Sequence, residues 1–351
     1  MHTSLVTGLY PFEHGIQGQQ DRRIRRGAAR LFRQCVERGD RVGLFSEAAT
    51  IFTGLDLGAD VEALPIGAAT GVAQVRRWLQ TADSRSRCLF LHYWSAHTPY
   101  GARDGQAMGE TADLLREGHV ETVQQRYRMA VEDVFENKVA PLLEALDLSR
   151  CAVLLFGDHG ESWTSEEFYH GSTVRNSVLR VPLYVHVPYS GNTLARSEGV
   201  VSLVDLYSTL CTILDLPRQD DGFGVDLLSS TALRSASRFR MAEIRPGRDP
   251  GEDEPIHLNK ESGLNPRAAL RWTVFDDRYR LHGQDDSWNL EAQWSERSIE
   301  TNSAALAMDY VEARENFHSQ SRWLQSPLEE DSMSANGEQQ LRDRLRALGY
   351  L

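Results

Sequence analysis

The sequence predicts an α/β fold, with a mainly parallel sheet sandwiched by helices up to about residue 230 and a smaller C-terminal α+β domain over 231–351. Short, nearly continuous apolar runs of strand length alternate with amphipathic helical stretches, the pattern of strands buried on both faces. The loops SAHTPY and GDHGES each follow such a run, where ligands gather beyond the carboxyl ends of parallel strands. Past Leu228 the texture changes: Arg, Asp, Gly and Pro become dense and are followed by short segments such as ALRWTVFDD and YRLHG.

Taken in order, Ile24, Ala28, Leu31, Phe32 and Cys35 recur at three- and four-residue spacing, which predicts an amphipathic helix over Asp21–Gly39, ended by its glycine. RVGLFS (Arg41 to Ser46) reads as a strand. A helix around Val72 to Leu79 leads into the apolar strand CLFLHYW (Cys88 to Trp94) and its exit loop SAHTPY. A long helix from about Val120 to Leu146 places Val131, Val134, Phe135, Val139, Leu142 and Leu143 on an inward face, with Lys138 away from the loops. CAVLLF (Cys151 to Phe156) is the next buried strand and exits into GDHGES. VPLYVHVP (Val181 to Pro188) is another strand, SLVDLYSTLCTILDLP (Ser202 to Pro217) is a helix stopped by proline, and the final LRDRLRALGYL has a helical pattern.

With 38 basic against 50 acidic residues and a formal charge of -12, the chain lacks the basic field that nucleic acid requires, so nucleic acid is excluded as its main partner. A hydrophobic share of 41% and a charged share of 25% are enough for a full core and exclude a disordered chain. No apolar run approaches the ~20 residues of a membrane span, and the opening MHTSLVTGLY has no leader pattern, so a cytoplasmic protein is expected. Cys35, Cys88, Cys151 and Cys211 lie far apart in apolar contexts and read as reduced core thiols.

Asp158 and His159 directly follow a buried strand, and Glu161 comes shortly after. A carboxylate and an imidazole fixed at a strand end suit a divalent metal, because the sheet holds the donors while the loop leaves positions for substrate. His170 in FYHGS and His97 in SAHTPY gain weight from that company, whereas His14 in YPFEHG reads as structural. The acid pairs Asp220–Asp221, Asp276–Asp277 and Asp285–Asp286 read as solvated loop charges.

Considered together, these segments resemble the sulfatase family of the alkaline phosphatase superfamily, nearly end to end. SLVTGLYPFEHG (Ser4 to Gly15) resembles the stretch after the family nucleophile, and FLHYWSAHTPY (Phe90 to Tyr100) resembles the strand and HxPY loop that supply a catalytic histidine. FGDHGES with YHG and LRVPLYVHVP (Phe156 to Pro188) resembles the DHGE metal loop, the later His-Gly and the VPL strand. VSLVDLYSTLCTILDLP, SWNLEAQWSERSIETN and RLRALGYL are similar to later family segments. The resemblance implies an alkaline phosphatase-like fold and hydrolysis of small-molecule or carbohydrate sulfate esters, with Asp158 and His159 as metal ligands. It gives His97 and His170 the ester oxygens or the leaving group, a role suited to imidazole. Ca2+ is the implied cofactor, and the imidazole ligand leaves Mn2+ or Zn2+ open. Alternatives within the superfamily are phosphodiester or phosphonate hydrolysis and phosphoethanolamine transfer, and the alternative outside enzymes is a non-catalytic pseudoenzyme; no membrane segment is visible for a transferase.

Where the chain departs from the pattern, aligning Leu5, Val6, Thr7 and Gly8 with the signature puts Met1 on its serine and His2 on its arginine. The nucleophile would then precede Met1, and the first strand with its acidic ligand is missing, so a truncated chain with impaired activity is expected. Thr3 and Ser4 occupy later helix positions and do not substitute. The two lysines, Lys138 and Lys260, match none of the positions at which arylsulfatases hold sulfate.

Overall fold

The computed structural model describes residues 1–17, 21–81, 83, 85–100, 108–163, 168–170, 173–188, 199–219, 222–229, 239–244, 270–284, 287–293, 303–329, 339 and 343. In chain order the elements are α1 (His2–Thr7), α2 (Pro11–His14), α3 (Leu31–Arg38), β1 (Arg41–Ser46), β2 (Val61–Ala63), α4 (Ala68–Gln80), β3 (Arg87–His92) and α5 (Met108–Arg116). Then α6 (Val120–Val134) runs through a π-turn (Phe135–Val139) into α7 (Ala140–Leu143), followed by β4 (Val153–Phe156), β5 (Ser162–Trp163), β6 (Phe168–Tyr169), α8 (Asn176–Leu179), β7 (Leu183–His186) and α9 (Leu203–Leu214). Last come β8 (Arg240–Ile244), β9 (Arg271–Phe275), β10 (Tyr279–Gln284), β11 (Ser287–Ala292) and α10 (Ser303–Gln320). These fall into two compact units, one of Met1–Leu31, Leu154–Asp249 and Gly263–Asp331, the other built on Phe32–Val153.

The second unit holds a parallel sheet in the order β2-β1-β3, with Leu44 opposite Val61 and Gly43 opposite Leu89. Parallel strands need a crossover, and α4 carries the chain from β2 to β3, which flank β1 on either side. Its apolar stripe buries Val72 and Val75 against Phe45, Leu64 and Leu142, and each such side chain withdrawn from water contributes about 1.5–3 kcal/mol. The expected strand at Arg41 to Ser46 is present, the one expected over Cys88 to Trp94 runs from Arg87 to His92, and the α/β class is as expected.

In the first unit β4 pairs with β7, and β8 to β11 form an antiparallel sheet in the order β11-β10-β9-β8, which accounts for the change of texture in the C-terminal sequence. Helix α10 belongs to the same core: Ala307, Tyr310, Ala313 and Phe317 join Trp272, Val274, Leu281 and Leu290, together with Tyr10 and Phe12. Helix α9 begins with a reciprocal Ser202–Asp205 cap, and the same Asp205 carboxylate accepts from Val225 N (2.9 Å) and from Arg240 Nη2 (3.0 Å). One buried acid thus ties a helix start to the first strand of the antiparallel sheet. Helix α1 packs on α9 at Gly8, whose φ of 70° and whose approach to Tyr207 exclude a side chain, since an added Cβ would lie 2.5 Å from the Tyr207 ring.

Three sequence expectations are corrected. The helix expected over Asp21–Gly39 forms only over Leu31–Arg38. Upstream, Gly27 takes a φ of 82°, Arg25 bridges Leu328, and Arg26 N donates to Pro327 O (2.8 Å), so tertiary pairing overrides a helical apolar pattern. The face of the long helix is also displaced. Val131 and Phe135 are 42% and 48% exposed because the inward row runs through Val123 and Ala130 instead; beyond it the π-turn carries an extra residue and brings Lys138, 3% exposed, and Leu142 onto that row. Asp276 is not a solvated charge: it is 3% exposed and accepts from Arg278 N and Tyr279 N (both 2.8 Å), closing the β9–β10 turn. Its neighbour Asp277 accepts from Val200 N (2.5 Å). Asp220–Asp221, Asp285–Asp286, Lys260 and the terminal RLRALGYL lie outside the described residues.

Glu13 closes a tight turn from within the core, accepting from Tyr10 N (2.9 Å) and Ser321 Oγ (2.8 Å). Burial pushes its carboxyl up from the usual 4.5 to about 7. The native state therefore keeps a proton that the unfolded chain has released, so this contribution is complete below pH 4.5 and is lost as pH rises through about 7. Melting temperature is expected to fall between pH 5 and pH 8, and Glu13→Gln should narrow that difference. An unchanged pH difference in the variant would assign the slope to other groups.

Candidate metal centre and histidine loops

Strand β4 delivers Asp158 and His159 at its carboxyl end. The loop turns sharply because Gly160 N donates to Val178 O (2.8 Å) and the Gly160 α-carbon lies so close to the Ser177 carbonyl that no Cβ fits. Asp158 Oδ1 accepts from His159 N (3.0 Å), which leaves Oδ2 turned toward the imidazoles. His159 Nδ1 lies 2.8 Å from Gly160 O, and a carbonyl only accepts, so Nδ1 carries the proton and Nε2 the lone pair. That Nε2 is 3.7 Å from Asp158 Oδ2, and His2 Nε2 on α1 is 3.8 Å from the same oxygen. Both distances are too long for hydrogen bonds. The donor chemistry, a carboxylate with an imidazole whose Nδ1 is engaged by a backbone carbonyl, fits a divalent metal.

His170 stands beside this pair, its ring 3.9 Å from that of His159. Its Nδ1 is 3.0 Å from Glu161 Oε1, and the Glu161 side chain is only 3% exposed. An ionised carboxylate there accepts from Nδ1–H and places the ring's lone pair on Nε2. The first unit therefore gathers Asp158, His159, His170 and Glu161 within a few ångströms. It also adds His2, which the sequence reading treated as a replacement for a signature arginine rather than as a donor.

Ser4 and His14 are occupied otherwise. His14 Nδ1 accepts from Ile16 N (3.1 Å), so its proton lies on Nε2 and is directed at Ser4 Oγ (3.1 Å). Burial holds His14 well below the usual imidazole range. This neutral pair fastens α1 to α2 and matches the structural role expected for His14.

His97 belongs to the second unit. Its Nδ1 lies 2.8 Å from Thr98 O, again leaving the lone pair on Nε2, and its ring stacks on Trp94 at 3.8 Å. The loop is anchored by Glu47, whose Oε2 accepts from Trp94 N (2.8 Å), Ser95 N (2.9 Å) and Ser95 Oγ (2.8 Å). The other oxygen pairs with Lys138, whose ammonium also donates to Ile66 O (2.9 Å) and Ser95 Oγ (2.6 Å). Lys138, expected away from the loops, is thus the buried counter-charge beneath the histidine loop. Nothing in helical periodicity announces a π-turn, so the sequence held no signal for it.

No protein-family model and no curated protein sequence matches the chain. Among solved structures it is similar to a phosphonate monoester hydrolase of Agrobacterium radiobacter, with a TM-score of 0.68 and 15% identity over 91% of this chain and 86% of that one. A structure in complex with its substrate D-glucosamine-2-N,6-O-disulfate matches with a TM-score of 0.67 and 11% identity, covering 92% of this chain and 87% of that one. A 2-O GAG sulfatase matches with a TM-score of 0.65 and 11% identity over 96% and 84% of the two chains. The fold is the alkaline phosphatase-like α/β fold of sulfatases and phosphonate monoester hydrolases. Among the described residues, no helix is long and apolar enough to cross a membrane.

Proposed function

We propose that the chain is a sulfatase-like, metal-dependent hydrolase acting on sulfate esters, with Asp158 and His159 as metal ligands. The observation that carries this reading is the Asp158 Oδ2 to His159 Nε2 distance of 3.7 Å, with the lone pair of His159 set by Gly160 O. A divalent cation held there supplies Lewis-acid stabilisation of the ester's charged oxygens. His170, its tautomer fixed by buried Glu161, offers Nε2 to a substrate oxygen or, when protonated, a proton to the leaving oxygen. His97 keeps the leaving-group role that its motif implies, with Nε2 as its basic nitrogen.

A second reading, hydrolysis of phosphonate monoesters or phosphodiesters, is favoured by Lys138. Its ammonium is committed to Glu47, Ser95 and Ile66, so it is not spent on sulfate oxygens in the way of arylsulfatase lysines. Equilibrium binding of p-nitrophenyl sulfate and of phenylphosphonate mono-p-nitrophenyl ester, each with and without saturating Mn2+, tests both readings. Binding that requires the cation and weakens in His170→Ala is the expected result, and the tighter ester names the substrate class. Ester binding indifferent to the cation would contradict both.

A further inference from the structure

We infer that Cys35 and Cys88 form a redox-active dithiol site, which a peroxide converts into a disulfide between α3 and β3. The inference goes beyond the proposed ester chemistry and does not depend on it.

Both cysteines lie in the Phe32–Val153 unit, and the topology sets them on facing surfaces. Successive side chains of a strand point to opposite faces of its sheet. Leu89 and Leu91 of β3 pack with Phe45, Val72 and Val75 on the α4 side, so Cys88 and Phe90 face the other side. Helix α3 covers that side, where Phe32 meets Phe90 with ring centroids 5.8 Å apart. Cys35 follows Phe32 at i+3 and shares its helix face, while Cys88 precedes Phe90 at i−2 and shares its strand face. The link from α3 to β1 keeps the two close. Gly39, with a φ of 93°, and the bond from Asp40 N to Cys35 O (2.9 Å) fold the helix end directly onto β1, where Val42 stands opposite Cys88 in the register.

The two sulfhydryls hydrogen-bond to each other, and both are free thiols in this structure. That bond makes Cys35 easier to ionise and, together with burial, pushes the Cys88 thiol up, so the proton stays on Cys88 and the nucleophilic sulfur is Cys35. Cys35 is buried and Cys88 half-buried, which admits a small oxidant and shields the pair from thiols of other proteins. Peroxide places one oxygen on one sulfur: the O–O bond breaks, a sulfenic acid forms and one water leaves. The second sulfur then displaces the hydroxyl, the S–S bond forms, and its proton leaves with that hydroxyl as a second water. Two thiols thus lose two electrons and two protons, and one peroxide becomes two waters.

The full chain is reduced, freed of reductant and treated with hydrogen peroxide, and its free thiols are counted after unfolding in denaturant. The count is expected to fall from four to two, and peptide mass mapping should find Cys35 joined to Cys88 with the loss of two hydrogens. Dithiothreitol should restore all four. The oxidised chain should also melt at a higher temperature, because closing residues 35–88 restricts the unfolded state. Cys88→Ala, at the half-buried member of the pair, is the variant that tests the site, with far-ultraviolet circular dichroism confirming its fold. It should form no cross-link within the chain and show no rise in melting temperature after peroxide. Four free thiols in the treated wild type, a bond that joins other cysteines, or oxygen added to Cys35 or Cys88 without a bond between them overturns the inference.

Discussion

Lys138→Met is expected to destabilise the protein by about 3–5 kcal/mol, because it leaves the Glu47 carboxylate buried beneath the histidine loop without its counter-charge. The Glu47 side chain is fully buried and that of Lys138 only 4% exposed, so solvent screens little of the loss. Chemical denaturation of Lys138→Met, Glu47→Gln and the double variant measures it. The double variant should cost less than the sum of the single ones, since the pair is removed together and no lone charge remains. Release of the Trp94–His97 stack should accompany the Glu47 change, read from the ring-current shifts of the His97 ring protons by NMR. Additive costs below ~1 kcal/mol would mean that the ion pair does not hold the loop.

Gly160→Ala is expected to cost about 1–3 kcal/mol or more and to abolish tight cation binding. The added methyl group meets backbone, the Ser177 carbonyl of α8, which cannot swing aside as a side chain could. Relief requires breaking the Gly160 N to Val178 O bond, and that bond sets the turn presenting Asp158 and His159. Thermal melts with and without Mn2+ check the claim: the variant should melt lower and lose the metal-induced rise. A variant that melts lower yet keeps the full rise would show that the turn's shape does not govern the donors.

Much of this arrangement was legible in the sequence, for identifiable reasons. Continuous apolar runs marked β1, β3 and β4, and the polar residues just past β3 and β4 marked the loops of His97 and of Asp158 and His159. Pro217 marked the end of α9. What stayed hidden depended on contacts made far along the chain. Residues 21–30 have a helical apolar pattern, but their backbone pairs with the Ser326–Leu328 segment instead. Lys138 faces inward only because one turn of its helix carries an extra residue. Asp276 is buried because its turn donates two backbone N–H groups to it. His2 is the counterpart at the site: the sequence aligns it with a signature arginine, and only the folded placement of α1 sets its Nε2 3.8 Å from Asp158.

The central claim is that Asp158 and His159 hold a divalent cation. Equilibrium dialysis of the metal-free chain against Mn2+, with bound metal quantified by elemental analysis, tests it most directly. About one equivalent bound by the wild type, with binding lost in Asp158→Ala and weakened at least ~10-fold in His159→Ala, is the predicted result. Equal Mn2+ occupancy in wild type and in a folded Asp158→Ala variant would contradict it.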